Sequence, residues 1–107
     1  MSAFLHIDEK NFKESVLNSS QPVLLEFGAP WCRPCKSLEP ILLQLGDEWG
    51  DRVLLAKVTV DESPDLAMQH QVISVPTTIL FVGGEEQARF VGLQKPDKIR
   101  KMIEQHI

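Results

Sequence analysis

The sequence predicts an α/β fold of element order βαβαβαββα, with a central mixed five-stranded sheet flanked by helices on both faces. Three observations carry it. Apolar runs of strand length, at Val23–Phe27, Val53–Val60 and Thr77–Val82, alternate with stretches whose apolar residues recur at helical spacing. The last two strand-like runs are separated by Gly83-Gly84, a two-residue turn signal that makes an antiparallel pair. Helical connections between the earlier strands favour parallel pairing, so the sheet is expected to be mixed.

Phe4 to Ile7 reads as a short strand, followed by Asp8 as N-cap of a helix that carries Phe12, Val16 and Leu17 on one face. Pro22 closes the next loop, and Val23-Leu24-Leu25-Glu26-Phe27 has the near-continuous apolar character of a strand buried on both faces. A long helix begins near Pro34, with Leu38, Ile41, Leu42, Leu45 and Trp49 on its inner side. Pro40 should kink it by removing one N–H, and Gly50 marks its end. After the strand Val53–Val60, Ser63-Pro64 predicts an N-cap with proline in the first turn of a short helix ending near His70. Thr77–Val82 and Gln87–Val91 form the hairpin, and Pro96–His106 closes the chain as an amphipathic helix with Ile99, Met102 and Ile103 inward. No repeats, linkers or low-complexity segments interrupt this order.

With 107 residues, 43% of them apolar and 24% charged, residues 1–107 read as one compact domain with a modest core. A formal net charge of −4 and the absence of a basic block argue against nucleic-acid binding. The start, Met1-Ser2-Ala3-Phe4-Leu5-His6, lacks the pattern of a secretory leader, and no apolar run approaches the ~20 residues of a membrane span. The expectation is a cytoplasmic protein without membrane association. In a reducing cytosol, a lone closely spaced cysteine pair is better explained by catalysis or metal binding than by a structural staple.

Trp31-Cys32-Arg33-Pro34-Cys35 holds both cysteines of the chain, at the point where a buried strand gives way to a helix. Thiols at this spacing can close into a small disulfide and reopen. A helix starting inside that ring aims unpaired N–H groups and its positive dipole end at the first sulfur, favouring the reactive thiolate. The site also lies at a strand's carboxyl end, where open α/β sheets tend to place their chemistry. His6, His70 and His106 are scattered and not spaced as ligands, Gly83-Gly84 lacks the lysine of a phosphate loop, and Lys36 reads as solvated. No metal site is expected.

The cysteine motif after a buried strand, Val75-Pro76-Thr77 opening a later one, and Gly92 after the last strand together resemble the thioredoxin family, essentially end to end. The resemblance implies a protein-disulfide reductase with a redox-active Cys32–Cys35 disulfide and no bound cofactor. Cys32 would be the attacking nucleophile and the exposed sulfur of the pair; Cys35 would resolve the mixed disulfide. Pro34 would tune the potential as well as start the helix. Glu26, an acid in an apolar strand, reads as an edge acid or a buried one, and the family's buried acid here implies proton transfer for the resolving thiol. Lys57, in the matching position of the next strand, is either solvated or paired with Glu26, and the family pattern favours the pair. Pro76 would be the family's cis-proline, with Val75 offering backbone groups to an extended substrate. Trp31, Val60 and Ser74 would join Val75, Val91, Gly92 and Leu93 in an apolar substrate groove, although most of them could equally be core. The implied partners are disulfide-containing proteins and a thioredoxin reductase bearing FAD and NADPH, with the chain acting as a monomer.

Three positions depart from the family pattern. Glu26 replaces an aspartate, Gly28 a tryptophan packed behind the motif, and Arg33 the glycine between the cysteines. At ~6 Å and an effective dielectric of ~60, the Arg33 charge would stabilise a Cys32 thiolate by about 0.9 kcal/mol, some ~20 mV toward a more oxidising protein. Other readings of the same residues are a thiol oxidase or isomerase on this fold, a metal carrier, and a non-catalytic binding subunit. A metal carrier is disfavoured because one CxxC supplies only half of a four-ligand zinc site.

Overall fold

A strand buried at every position, β2 (Val23–Gly28), runs through the middle of the sheet in the computed structural model, which describes residues 3–107. Met1 and Ser2, where a leader would begin, lie outside the described residues. The other strands are β1 (Leu5–Ile7), β3 (Leu54–Thr59), β4 (Thr77–Val82) and β5 (Glu85–Val91), in the order β1-β3-β2-β4-β5. β3 is parallel to both β1 and β2, β4 is antiparallel to β2, and β5 is antiparallel to β4. The sheet is therefore mixed, as expected from the sequence.

The direction of β4 differs from the expectation that every helical connection yields a parallel strand. Its connection to β3 contains only α2 (Pro64–Gln69), a six-residue helix. The loops on either side of it, residues 60–63 and 70–76, stay on one rim and do not carry the chain back along the sheet. β4 therefore starts at the end of the sheet where β3 finishes. The carboxyl ends of β2, β3 and β5 and the amino end of β4 thus share one rim, and the cysteine loop leaves from it.

Helices cover both faces. Alternation along β2 sends Val23, Leu25 and Phe27 to one side, where they pack with Phe12 and Val16 of the first helical segment and Leu66 and Ala67 of α2. Leu24 faces the other side, against Leu38, Leu42, Leu45 and Trp49 of α1 (Arg33–Trp49) and Ile99 and Ile103 of α3 (Pro96–Glu104). Trp49 Nε1 donates to Glu104 Oε2 at 2.8 Å, joining these two helices. Ile41 and Met102, expected inward, are only half-buried. α1 continues through Pro40, which stands on its exposed side.

Asp8 caps a turn, its Oδ1 accepting from the backbone N–H of Lys10 at 2.8 Å and Asn11 at 3.1 Å, but the helical segment expected to start from it has its N-cap at Phe12. The segment that follows, Lys13–Leu17, is wider than an α-helix: the Asn18 N–H donates to the Lys13 carbonyl, five residues back, at 2.9 Å. That widening buries Val16 and leaves Leu17 at the surface, against its expected inward place. In the hairpin, Gly83 and Gly84 adopt φ of +60° and +82°, the left-handed pair that a tight type I′ connection needs. β5 begins two residues earlier than predicted, its register shifted by an irregularity between Leu80 and Phe81.

Candidate active site

Cys32 is the N-cap of α1, held in extended conformation at φ −89° and ψ 110°. Its Sγ accepts a hydrogen bond from the Cys35 backbone N–H at 3.2 Å, so sulfur fills the role that a serine or aspartate oxygen usually plays at a helix start. Arg33 and Pro34 form the first turn, and proline is tolerated there because its missing N–H would have had no intrahelical acceptor. Cys32 and Cys35 are joined as a disulfide with their Cα atoms 5.4 Å apart. Their exposure differs less than expected. Cys32 keeps 3% of its surface and Cys35 none, so access to the first sulfur is by a narrow approach.

Glu26 is fully buried, and neither carboxylate oxygen has a hydrogen-bond donor. Burial, chiefly, pushes its pKa from 4.5 up to about 8; the neighbouring Glu39 carboxylate adds to the rise, and Lys57 opposes it. Lys57 does lie opposite Glu26 in the β2–β3 register. Its ammonium, however, bonds Glu39 Oε1 at 3.1 Å, so the expected Glu26–Lys57 pair is replaced by Lys57–Glu39. Glu39 is absent from the sequence expectations. Its signal is the spacing from Cys35: four residues along α1 put both side chains on one face of that helix.

Gly28 is where strand, acid and sulfur meet. A Cβ on it would stand 3.2 Å from Glu26 Oε2 and 3.3 Å from Cys35 Sγ, so both atoms border the space a methyl group would fill. On the other side of Glu26, Thr78 of β4 is its cross-strand neighbour, and the Thr78 hydroxyl is also buried without a partner.

The remaining residues singled out from the sequence gather on the same rim. The Val75–Pro76 peptide is cis, the Pro76 carbonyl accepts from the Gly92 N–H at 2.8 Å, and Thr77 Oγ1 donates to the Ser74 carbonyl at 2.7 Å. Trp31 is 68% exposed, with Val91 and Leu93 each at 50%. Ser74 is exposed too, while Val60, Val75 and Gly92 are half-buried. Two neighbours were not anticipated. Ile73 is 96% exposed, and Asp61, directly after Val60, accepts from Trp31 Nε1 at 2.9 Å. His70 packs against Phe12, Phe27 and Phe81, with ring centroids 5.0 to 5.9 Å apart, on the face opposite α1.

Among the described residues no group of His, Cys, Asp and Glu is placed to hold a metal ion, and no helix is long and apolar enough to cross a membrane.

The family profile for thioredoxin matches residues 3–105. Thioredoxin of Haemophilus influenzae is 39% identical over 107 residues, the whole of both chains. Thioredoxin of Chlorobaculum thiosulfatiphilum is 36% identical over 104 residues, covering 97% of this chain and 96% of its own. A bifunctional thioredoxin reductase/thioredoxin of Mycobacterium leprae is 41% identical over 88 residues, 82% of this chain and 19% of that longer protein.

Proposed function

The chain belongs to the thioredoxin family and is a thiol–disulfide oxidoreductase that reduces protein disulfides, and on that premise we propose how its residues divide the work. Cys32 is the nucleophile. The observation that carries this is its sulfur at the N-cap of a 17-residue helix, receiving the Cys35 N–H and the positive end of the helix dipole, which favour its thiolate in the reduced protein. That thiolate attacks one sulfur of a substrate disulfide, forming a mixed disulfide as the substrate S–S bond breaks and its other sulfur leaves as a thiolate. Cys35, fully buried one turn further in, then attacks Cys32 Sγ, and the substrate sulfur leaves with the bonding electron pair.

Glu26 exchanges the Cys35 proton. Gly28 leaves open a space that both the carboxyl and the sulfur border, and a carboxyl whose pKa has risen to about 8 changes protonation near neutral pH, as an acid–base partner of a thiol must. Lys57 acts on it by its own charge and through its ion pair with Glu39; Arg33 and Pro34 tune the potential, and cis-Pro76 shapes the rim. Extended substrate segments lie across Trp31, Val60, Ser74 and Val75 on one side and Val91, Gly92 and Leu93 on the other, bound through backbone groups and exposed apolar area.

The oxidised protein is returned to the dithiol by a thioredoxin reductase, whose flavin and NADPH belong to that partner. The fusion of the two activities in the Mycobacterium leprae protein supports this pairing. Residues 1–107 work as one domain, a cytoplasmic monomer.

Reduction of insulin disulfides by dithiothreitol tests the assignment. The protein should accelerate the reaction, Cys32→Ser should abolish the acceleration, and Cys35→Ser should accumulate mixed disulfide through Cys32. Retention of activity in Cys32→Ser would refute it.

A further inference from the structure

We propose that Glu39 is a positioning residue for the reaction: it draws the Lys57 ammonium away from Glu26 and so keeps on Glu26 the proton that Cys35 takes when the disulfide is reduced. The inference rests on the proton-transfer role given to Glu26 above and names the residue that governs it.

Geometry carries the proposal. Lys57 stands opposite Glu26 in the register, the position from which a lysine would neutralise it, yet its Nζ lies 3.1 Å from Glu39 Oε1. Both partners of that pair are partly open, at 34% and 24% of side-chain surface, whereas Glu26 is sealed. They border a cavity of about 180 Å³ lined also by Ala29, Pro30, Lys36 and Thr59, which places the ion pair between Glu26 and water. Glu26 is faced by Lys57 from β3, Glu39 and Cys35 from α1, and the uncharged Thr78 from β4. With Lys57 committed to Glu39, an ionised Glu26 would stand buried beside a second carboxylate. A single proton removes that repulsion, and the enclosed site favours its resting on Glu26.

The step this prepares is balanced. A dithiol reductant's thiolate attacks Cys32 Sγ, forming a mixed disulfide as the Cys32–Cys35 bond breaks. The electron pair of that bond passes to Cys35 Sγ, which takes the proton from Glu26 and leaves the carboxylate behind. In the reverse direction Cys35 returns the proton to Glu26 as it closes the ring.

The test uses the oxidised full chain and Glu39→Gln, which removes the charge and keeps the shape. The carboxyl carbonyl stretch of Glu26, assigned by its loss in Glu26→Gln, is followed by infrared spectroscopy from pH 5 to 10. Glutamine removes the charge that repels an ionised Glu26 and frees Lys57 to approach it, so the midpoint should fall by about one pH unit or more. Reduction by dithiothreitol at pH 7.5 should then slow about threefold, the change in protonated fraction that such a shift produces. In Glu39→Gln/Lys57→Met the midpoint should rise again. An unmoved midpoint in Glu39→Gln, with Glu26→Gln still slow, overturns the role of Glu39 alone. Wild-type reduction rates in Glu26→Gln at every pH overturn the role of Glu26, and this proposal with it.

Discussion

Gly28 backs directly onto Cys35, for a Cβ added to the glycine would stand 3.3 Å from the Cys35 sulfur and 3.2 Å from the Glu26 carboxylate. Both distances are tighter than ordinary carbon contacts, so one neighbour must move to admit a methyl group. In the oxidised protein the sulfur is tethered to Cys32; in the dithiol it is free to change rotamer. Gly28→Ala should therefore destabilise the disulfide form more than the dithiol. A differential of about 1 kcal/mol, the low end of overpacking costs, raises the potential by about 20 mV. Redox titration against glutathione checks this, and a potential at or below wild type would show that Glu26 yields instead.

The proton on Glu26 also makes stability depend on pH. The folded disulfide form holds it up to about pH 8, whereas the group's ordinary pKa is 4.5, so the native state binds more protons across that window. Its contribution is complete below pH 4.5 and is lost as pH rises toward 8, with a slope of up to about 1.4 kcal/mol per pH unit. Urea unfolding of the oxidised protein at successive pH values should show this decline. In Glu26→Gln that component should vanish, leaving the variant more stable than wild type above pH 8. Parallel pH profiles for the two proteins would mean that Glu26 is ionised throughout.

Glu26 and the two cysteines also show what could be read before the structure. Glu26 stood out because an acid inside Val23–Phe27 has no cheap explanation in a buried strand, and Cys32 and Cys35 because their spacing and place are chemical statements in themselves. The partner of Lys57 was not legible. Register places Lys57 opposite Glu26, but which carboxylate it reaches depends on how α1 is rotated over the sheet, and that follows from packing by Leu38, Leu42 and Leu45. The direction of β4 was hidden for a similar reason, since a strand's apolar pattern looks alike in either sense and the connection over residues 60–76 is long enough for both. Leu17 fell on the wrong side because a widened helical turn breaks the 3.6-residue period by which it was placed.

Trp31 and Asp61 give a prediction for substrate recognition. The indole is 68% exposed beside the disulfide, held by one hydrogen bond of 2.9 Å to Asp61 Oδ2. Asp61→Ala leaves the ring in place but free to turn, so the apolar surface it offers is no longer preorganised. A bond of this kind is worth about 1 kcal/mol, which sets an upper limit of roughly fivefold on the rise in KM for a protein disulfide. The rate of reduction by dithiothreitol, which needs no groove, should be unchanged. Equal effects on both reactions would place Asp61 in the chemistry of the sulfurs rather than in recognition.

Arg33 offers the most direct control over the potential, because it adds a fixed charge in the first turn of α1 without contributing to the core. A cation there stabilises the Cys32 thiolate in the reduced protein and has no matching anion in the disulfide, so it favours the dithiol. At ~6 Å through an effective dielectric of ~60 the interaction is about 0.9 kcal/mol, or ~20 mV. Arg33→Gly should lower the potential by that amount and shift Cys32 alkylation to higher pH. The charge lies at the surface, so the difference between the two proteins should shrink as salt rises from 0.01 to 1 M, while a conformational effect of glycine on the turn would persist. A potential that is unchanged or higher in Arg33→Gly would show that the guanidinium is turned away from the sulfur.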